Sequence, residues 1–392
     1  MQLERKLLIL TTAALAGLGL LMVYSSSITA RPSFTDQKYL SRQLMFLAAG
    51  VVAASVAARL PREFLYQIAY PLFVVSVGLL VAVLIPGVGT VRNGAQRWFS
   101  FGSMTLQPSE LAKFAMVLFL ARSLASRGRG PAGLLNTWLP LLLVPSFVSG
   151  LVLYEPDFGT AAYLLVCAVV VLFLGGMPAW YLAGVLAAVV PLGGLLVAIE
   201  PYRIKRILQF AQGWTDPAAA PYQVQQSLVA IGSGGLWGTG LGQGWQKLGF
   251  LPEANTDFVF AVVGEELGLV GTLTVLALWA TLLVCGVRLA SQVRGDKFAY
   301  LVSLGLVVEL VFQAIVNIGV VTGSLPPKGI SLPFMSAGGS NLIVSLVSVG
   351  VVIGLTREGN CCEATWGAET SHNNLARHRE YVRSRRELLH ET

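Results

Sequence analysis

The sequence predicts an all-α polytopic membrane protein, a bundle of about ten transmembrane helices with one long extracytoplasmic loop. Three observations carry this reading. Hydrophobic residues make up 55% of the 392-residue chain and charged residues 12%, with a mean hydropathy of +0.69, a balance that soluble domains do not show. Apolar runs long enough to cross a hydrocarbon core recur from one end of the chain to the other. A single long connection, 200–257, interrupts them.

The runs fall near 7–24, 40–58, 67–85, 109–125, 134–153, 159–176, 179–199, 258–288, 298–321 and 340–356. The first follows Glu4, Arg5 and Lys6, as a signal peptide would. It runs into Tyr24-Ser25-Ser26-Ser27 without a small-residue cleavage motif, and is read as a retained span. An even count places both termini on one side. That side collects Arg59, Arg62, Arg122, Arg127, Arg129, Arg288, Arg294 and Lys297. The opposite side carries Arg31, Lys38, Arg42, Arg92, Arg97 and Lys328 outside the long loop. With long loops discounted, the positive-inside rule puts both termini in the cytoplasm.

Residues 1–357 therefore form one membrane domain, and 358–392 a basic cytoplasmic tail. Arg377, Arg379, Arg383, Arg385 and Arg386 suit either a disordered, solvated tail or an amphipathic helix on the inner leaflet. The formal charge of +7 lies largely in loops and this tail, which points to anionic membrane lipid and away from nucleic acid. Cys167, Cys285, Cys361 and Cys362 make neither a disulfide framework nor a metal motif.

Parity puts the 200–257 loop outside the cytoplasm. Trp214, Tyr222, Trp237, Trp245 and Phe250 are spread through it, which suits a segment lying in the membrane interface. Its glycine-rich run IGSGGLWGTGLGQG, Ile231 to Gly244, lacks the preceding strand and lysine of a nucleotide loop. Flexible re-entrant backbone and a cradle of N–H groups for a lipid phosphate both remain open for it. The loop ends in FLPEANTDFVFAVVGEELG, Phe250 to Gly268, where Glu253, Asp257, Glu265 and Glu266 crowd an apolar border. Carboxylates in such a place are paired or functional.

Three further polar sets sit where apolar residues are expected. QPSELAK, Gln107 to Lys113, opens the fourth span; Pro108, Ser109 and Glu110 suit a helix start, but Lys113 lies one turn deeper and shares a face with Glu110. EPDFGT, Glu155 to Thr160, is either an acidic turn or part of an extracytoplasmic site with Asp257. NIGVVTGSLPPKGISLPFMSAGGSN, Asn317 to Asn341, breaks an apolar run with three prolines, Lys328 and five glycines, as a long turn or as irregular backbone buried in protein. Glu309 stands alone in the ninth span, where an unpaired carboxylate is costly.

Taken in order, these motifs, together with GAQRWFSFG at Gly94 to Gly102, resemble the shape, elongation, division and sporulation (SEDS) proteins over about 7–357. The strings YQVQQSLVAIGSGGLWGTGLGQGWQKLGFLPEANTDF and PPKGISLPF are more similar to division-type than to elongation-type members. The resemblance implies a peptidoglycan glycosyltransferase acting on lipid II, with a class B penicillin-binding transpeptidase and other division or elongation membrane proteins as partners. It places Asp257 on the family's essential aspartate, and Glu110, Lys113 and Asp157 among residues lining a central cavity. Arg97, Gln107, Ser109, Gly159, Glu265 and Glu266 fall on motif positions; Lys328 and Ser336 are further candidates for the cavity. Ala337, Asn341 and Asn255 depart from the family pattern.

Joining sugars by a β-1,4 bond from an α-linked pyrophosphate inverts the sugar carbon. Asp257 as general base would take the proton of the acceptor hydroxyl. Arg97, Lys113, Lys328 or a divalent cation (Mg2+ or Mn2+) shared with the pyrophosphate would meet the departing charge; the sequence holds no metal motif and calls for no other cofactor. A lipid II flippase is the rival reading, because Glu110, Lys113 and Glu309 would suit a polar pathway. A catalytically silent scaffold is a third.

Overall fold

A computed structural model describes residues 2–27, 34–92, 95–101, 104–127, 134–198 and 201–357. Helices dominate. In chain order they are α1 (Gln2–Ser27), α2 (Phe34–Ala57), α3 (Arg62–Leu84), α4 (Pro108–Ala125), α5 (Leu139–Tyr154), α6 (Phe158–Leu174), α7 (Ala179–Ala198), α8 (Pro201–Gln212), α9 (Tyr222–Ser233), α10 (Val259–Gln292) and α11 (Lys297–Val321). The last, α12, is Gly339–Arg357. The tail 358–392 lies outside the described residues.

A helix occurs at each of the ten predicted runs, but among the described residues seven are long and apolar enough to cross a membrane: those in α1, α2, α3, α5, α10, α11 and α12. The count of ten spans is therefore not reached on length and composition. The reason is clearest for α4, which carries Glu110, Lys113 and Arg122 in 18 residues and is buried along nearly its whole length. It packs against α3, α6 and α11, so protein, not lipid, surrounds its charges. α6 is apolar throughout and has 17 residues, one short of a full candidate span.

The predicted long loop 200–257 is largely folded. α8 and α9 occupy its first part, and a helical turn at Gln246–Leu248 its second. A second departure is a three-stranded antiparallel sheet, β1 (Thr90–Arg92), β2 (Ala95–Phe101) and β3 (Met104–Leu106). Its register sets Thr90 opposite Trp98 and Phe99 opposite Leu106. β1 and β3 are too short to show a period in the sequence, and the alternation of the seven-residue β2 is broken at Arg97-Trp98, yet the sheet carries Arg97 from the end of α3 to the corner between α5 and α6.

α10 is two helices joined at Gly268, whose φ of 66° and ψ of −158° are open essentially to glycine alone. The glycine-rich run fills the break. Leu269 N donates to Gly235 O (2.9 Å) and Val270 N to Leu236 O (3.2 Å), while Thr239 N and Gly240 N donate to the carbonyls of Glu265 (2.9 Å) and Glu266 (3.1 Å). A broken helix at membrane depth is tolerated when neighbouring protein takes up the freed backbone groups, and the run does that here.

Candidate active site

One end of the bundle gathers the sheet, the α5–α6 corner, the start of α10 and the α11–α12 connection. Arg97 on β2 is the brace of this mouth. Its Nε donates to Glu155 O (3.0 Å), Nη2 to Pro156 O (2.7 Å), and Nη1 lies 3.1 Å from Asp157 Oδ2. Asp157 is also the N-cap of α6, accepting from Thr160 N (3.1 Å) and Thr160 Oγ1 (2.8 Å). An acidic cap at a helix start is favourable by charge and by hydrogen bonding together.

Asp257 stands two residues before α10, half-buried, its N bonded to Glu253 O. No group among the described residues donates a hydrogen bond to its carboxylate. Burial, aided by the charges of Glu253 and Asp157 and opposed by Arg97, pushes it up to about 7. Gly329 forms the facing wall: a Cβ there would lie 3.0 Å from Asp257 Oδ2. Next to it, Lys328 lays its stem on Gly159, where a Cβ would meet Lys328 Cδ at 2.8 Å, and sets Nζ 4.3 Å from the centre of the Phe158 ring. Gly159 is thus needed because the lysine passes over it.

A second polar group lies deeper. Lys113 Nζ is 2.9 Å from Glu110 Oε2 and 3.8 Å from Glu309 Oε1, donates to Gln313 Oε1 (2.6 Å), and sits 5.2 Å from the centre of the Tyr163 ring. Tyr163 Oη in turn donates to Glu309 O (2.7 Å) and lies 3.2 Å from its Oε1. Glu309, solitary in the sequence, is paired in space.

The remaining candidates separate. Ser336 Oγ accepts from Leu332 N (2.7 Å) and Ser336 O accepts from Gln43 Nε2 (3.3 Å), so Ser336 braces its own loop. Gln107 holds the N-cap position of α4 without a side-chain cap bond, and its N donates to Ser340 Oγ (3.1 Å); Ser109 is buried two positions further on. Glu265 and Glu266 lie two turns into α10, apart from the mouth. Glu265 Oε1 accepts from Trp245 N (2.6 Å) and Gln246 N (3.1 Å); Glu266 accepts from Gly242 N (3.0 Å), Ser25 Oγ and Lys247 Nζ. Of the amides open to a lipid phosphate in the sequence reading, those of Thr239, Gly240 and Gly242 are thereby spent on the Glu266 carboxylate and on the carbonyls of α10.

Sequence reasoning passed over Gln313, Asn317 as a side chain, Tyr163 and the Lys247–Ser25 partners of Glu266. Gln313 and Asn317 had a signal: with Glu309 they recur every fourth residue in an apolar helix, which stacks them on one face. The departures at Asn255 and Ala337 meet through backbone alone, Ala337 N donating to Asn255 O (2.8 Å), so neither side chain is asked for. Asn341 donates to Ser331 Oγ and accepts from Ser345 Oγ.

A family model for cell cycle proteins, covering FtsW, RodA and SpoVE, matches residues 5–360. The chain belongs to this family. Among its FtsW/RodA/SpoVE relatives, a probable peptidoglycan glycosyltransferase FtsW of Trichlorobacter lovleyi is 39% identical over 351 residues, 89% of this chain and 92% of that one. Stage V sporulation protein E of Bacillus subtilis is 39% identical over 355 residues, 90% and 96% of the two. A chain of a solved peptidoglycan synthase complex, described as coordinating polymerization and crosslinking, superposes with a TM-score of 0.74 at 32% identity, covering 90% of this chain and 97% of that one. The rod shape determining protein RodA of Thermus thermophilus gives 0.65 at 32% identity, over 90% and 96%. With its apolar helices, the family places the chain among integral membrane proteins.

Proposed function

We propose that this chain is a peptidoglycan glycosyltransferase that polymerises lipid II into β-1,4 glycan at the outward face of the bacterial inner membrane, in septal wall synthesis. The observation that carries the reading is Asp257: a carboxylate to which no group among the described residues donates a hydrogen bond, pushed up to about 7, at a mouth that also holds Arg97 and Lys328. A base poised near the working pH is the most effective proton acceptor.

Asp257 accepts the proton of the attacking sugar hydroxyl. The hydroxyl oxygen bonds to the anomeric carbon of the lipid-linked sugar as the carbon–oxygen bond to pyrophosphate breaks, and that electron pair leaves on the phosphate oxygen. Arg97 and Lys328 are the cations nearest this face; Lys113, enclosed by Glu110 and Glu309, serves to fix the floor below it. No group of three His, Cys, Asp or Glu side chains among the described residues converges on one point. A divalent cation would therefore arrive with its phosphate oxygens and take a carboxylate such as Asp157 from the protein, neutralising charge on the leaving group.

Both termini then lie in the cytoplasm, and a class B penicillin-binding transpeptidase is the natural partner, which the likeness to the synthase-complex chain supports. An elongation-type role would use the same chemistry. A flippase is less well supported, because the charges inside the bundle neutralise one another instead of lining an open path. The test is to supply lipid II to the purified protein, with and without candidate transpeptidases, and to look for glycan strands; their absence in every combination contradicts the assignment.

A further inference from the structure

α11 is an apolar helix interrupted on one face by Glu309, Gln313 and Asn317. Amide side chains in such a helix are costly unless every polar group finds a partner. Asn317, buried to 1% exposure, leaves its Oδ1 without a hydrogen-bond partner among the described residues and turns its amide nitrogen to two carbonyls, donating to Asp257 O (2.7 Å) and to Ile330 O (2.7 Å). One turn away, Gln313 donates from Nε2 to Ser331 O (2.8 Å) while its Oε1 accepts from Lys113. Consecutive carbonyls of the irregular 328–332 segment are thus held by consecutive turns of α11, and Asn341 holds the Ser331 hydroxyl from α12. The same segment supplies both neighbours of the mouth: Gly329 against the Asp257 carboxylate and Lys328 across Gly159.

We infer that Asn317 and Gln313 are positioning residues, which lock the 328–332 segment to the backbone of Asp257 and so fix where the Asp257 carboxylate and the Lys328 ammonium stand relative to each other. The inference rests on the reading of Asp257 as the base. Neither amide is placed against the reacting atoms; they act by holding two irregular stretches of backbone that have no secondary structure to hold them. A displacement of about 1 Å at a reacting group costs roughly 100-fold in rate.

The test compares Asn317→Leu, of similar volume but without donors, with the wild-type full chain on lipid II. The expected result is a fall in kcat of about 100-fold with KM changed by less than about twofold, since substrate contacts stay in place. The acid limb of the pH profile should also move down, because a loosened wall admits water to Asp257. The charged groups facing Asp257 are Glu253, Asp157 and Arg97, with Lys328 on the adjoining segment, and the substitution alters none of them. Gly329→Ala, which presses a methyl group on the same carboxylate without touching α11, should lower kcat likewise and move the limb up; it decides the matter if the leucine variant does not fold. Wild-type kcat and pH profile in both variants overturns the inference, as does a loss of rate with the limb unmoved. Asp257→Asn is run beside them: if it polymerises at the wild-type rate the base assignment fails, whereas an inert Asp257→Asn beside wild-type Asn317→Leu and Gly329→Ala removes the positioning role alone.

Discussion

Lys247 Nζ lies 2.7 Å from Glu266 Oε1 with side-chain exposures of 1% and 0%, and Ser25 of α1 completes the pair by bonding both partners. This contact ties the Gln246–Leu248 turn to α10 and both to α1. Removing one member leaves a buried charge unmatched, which costs about 3–5 kcal/mol, while replacing both by apolar groups costs far less. Lys247→Met and Glu266→Leu should each lower the melting temperature sharply in detergent, and the double variant should recover much of the loss. Equal and additive losses would contradict the pairing.

The break in α10 makes a second prediction. At Gly268 the backbone is strained for any other residue, and a Cβ would overlap Gly238 N and Leu236 O. Gly268→Ala should cost at least about 1–3 kcal/mol, seen as reduced yield of folded protein and a lower melting temperature. Gly232→Ala, where a Cβ meets nothing within 4 Å, is the control and should be close to neutral.

The pH profile follows from Asp257. It must be ionised to accept a proton, so with the carboxyl pushed up to about 7, kcat/KM should fall as pH drops through about 7. Glu253 raises Asp257 by its charge; Glu253→Gln should therefore shift the acid limb downward. A limb that stays put, or moves up, would contradict the proximity of these two carboxylates.

Glu155 gives a test of stability. Its side chain is buried with neither oxygen hydrogen-bonded, and burial first, then Asp157, pushes it up to about 8, against the pull of Arg97. The folded state therefore holds a proton that the unfolded state releases in the ordinary carboxylate range. Stability from this group is complete below that range and is lost as pH rises through about 8. Glu155→Gln keeps the shape and removes the titration, so its advantage in melting temperature over wild type should grow from about pH 5 to about pH 9.

Much of this was legible in the sequence for physical reasons. Long apolar runs announce helices, and charges inside them announce sites because burial makes them expensive; that logic found Glu110, Lys113, Asp157 and Asp257. It found Glu309 but not its partners, since Lys113 and Tyr163 come from other helices and the meeting of helices leaves no local pattern. The β1–β3 sheet escaped because β1 and β3 span three residues each and the alternation of β2 is broken at Arg97-Trp98. The acceptors of the glycine-rich run's amides could not be read from the sequence, because the carbonyls of Glu265 and Glu266 and the Glu266 carboxylate lie more than twenty residues further on, just before a break at Gly268 that sequence alone does not mark. Glu265 and Glu266, expected to anchor the start of the following span, instead lie two turns into α10 and clamp that run and the turn after it.

The account turns on the carboxylate of Asp257. Glycan polymerisation from lipid II by Asp257→Asn, measured against wild type near pH 7 with both proteins shown to be folded by thermal melting, tests it most directly. Loss of a general base predicts a fall in rate of about 100-fold to 10,000-fold with the melting temperature held or raised. Polymerisation by Asp257→Asn at the wild-type rate would contradict the account.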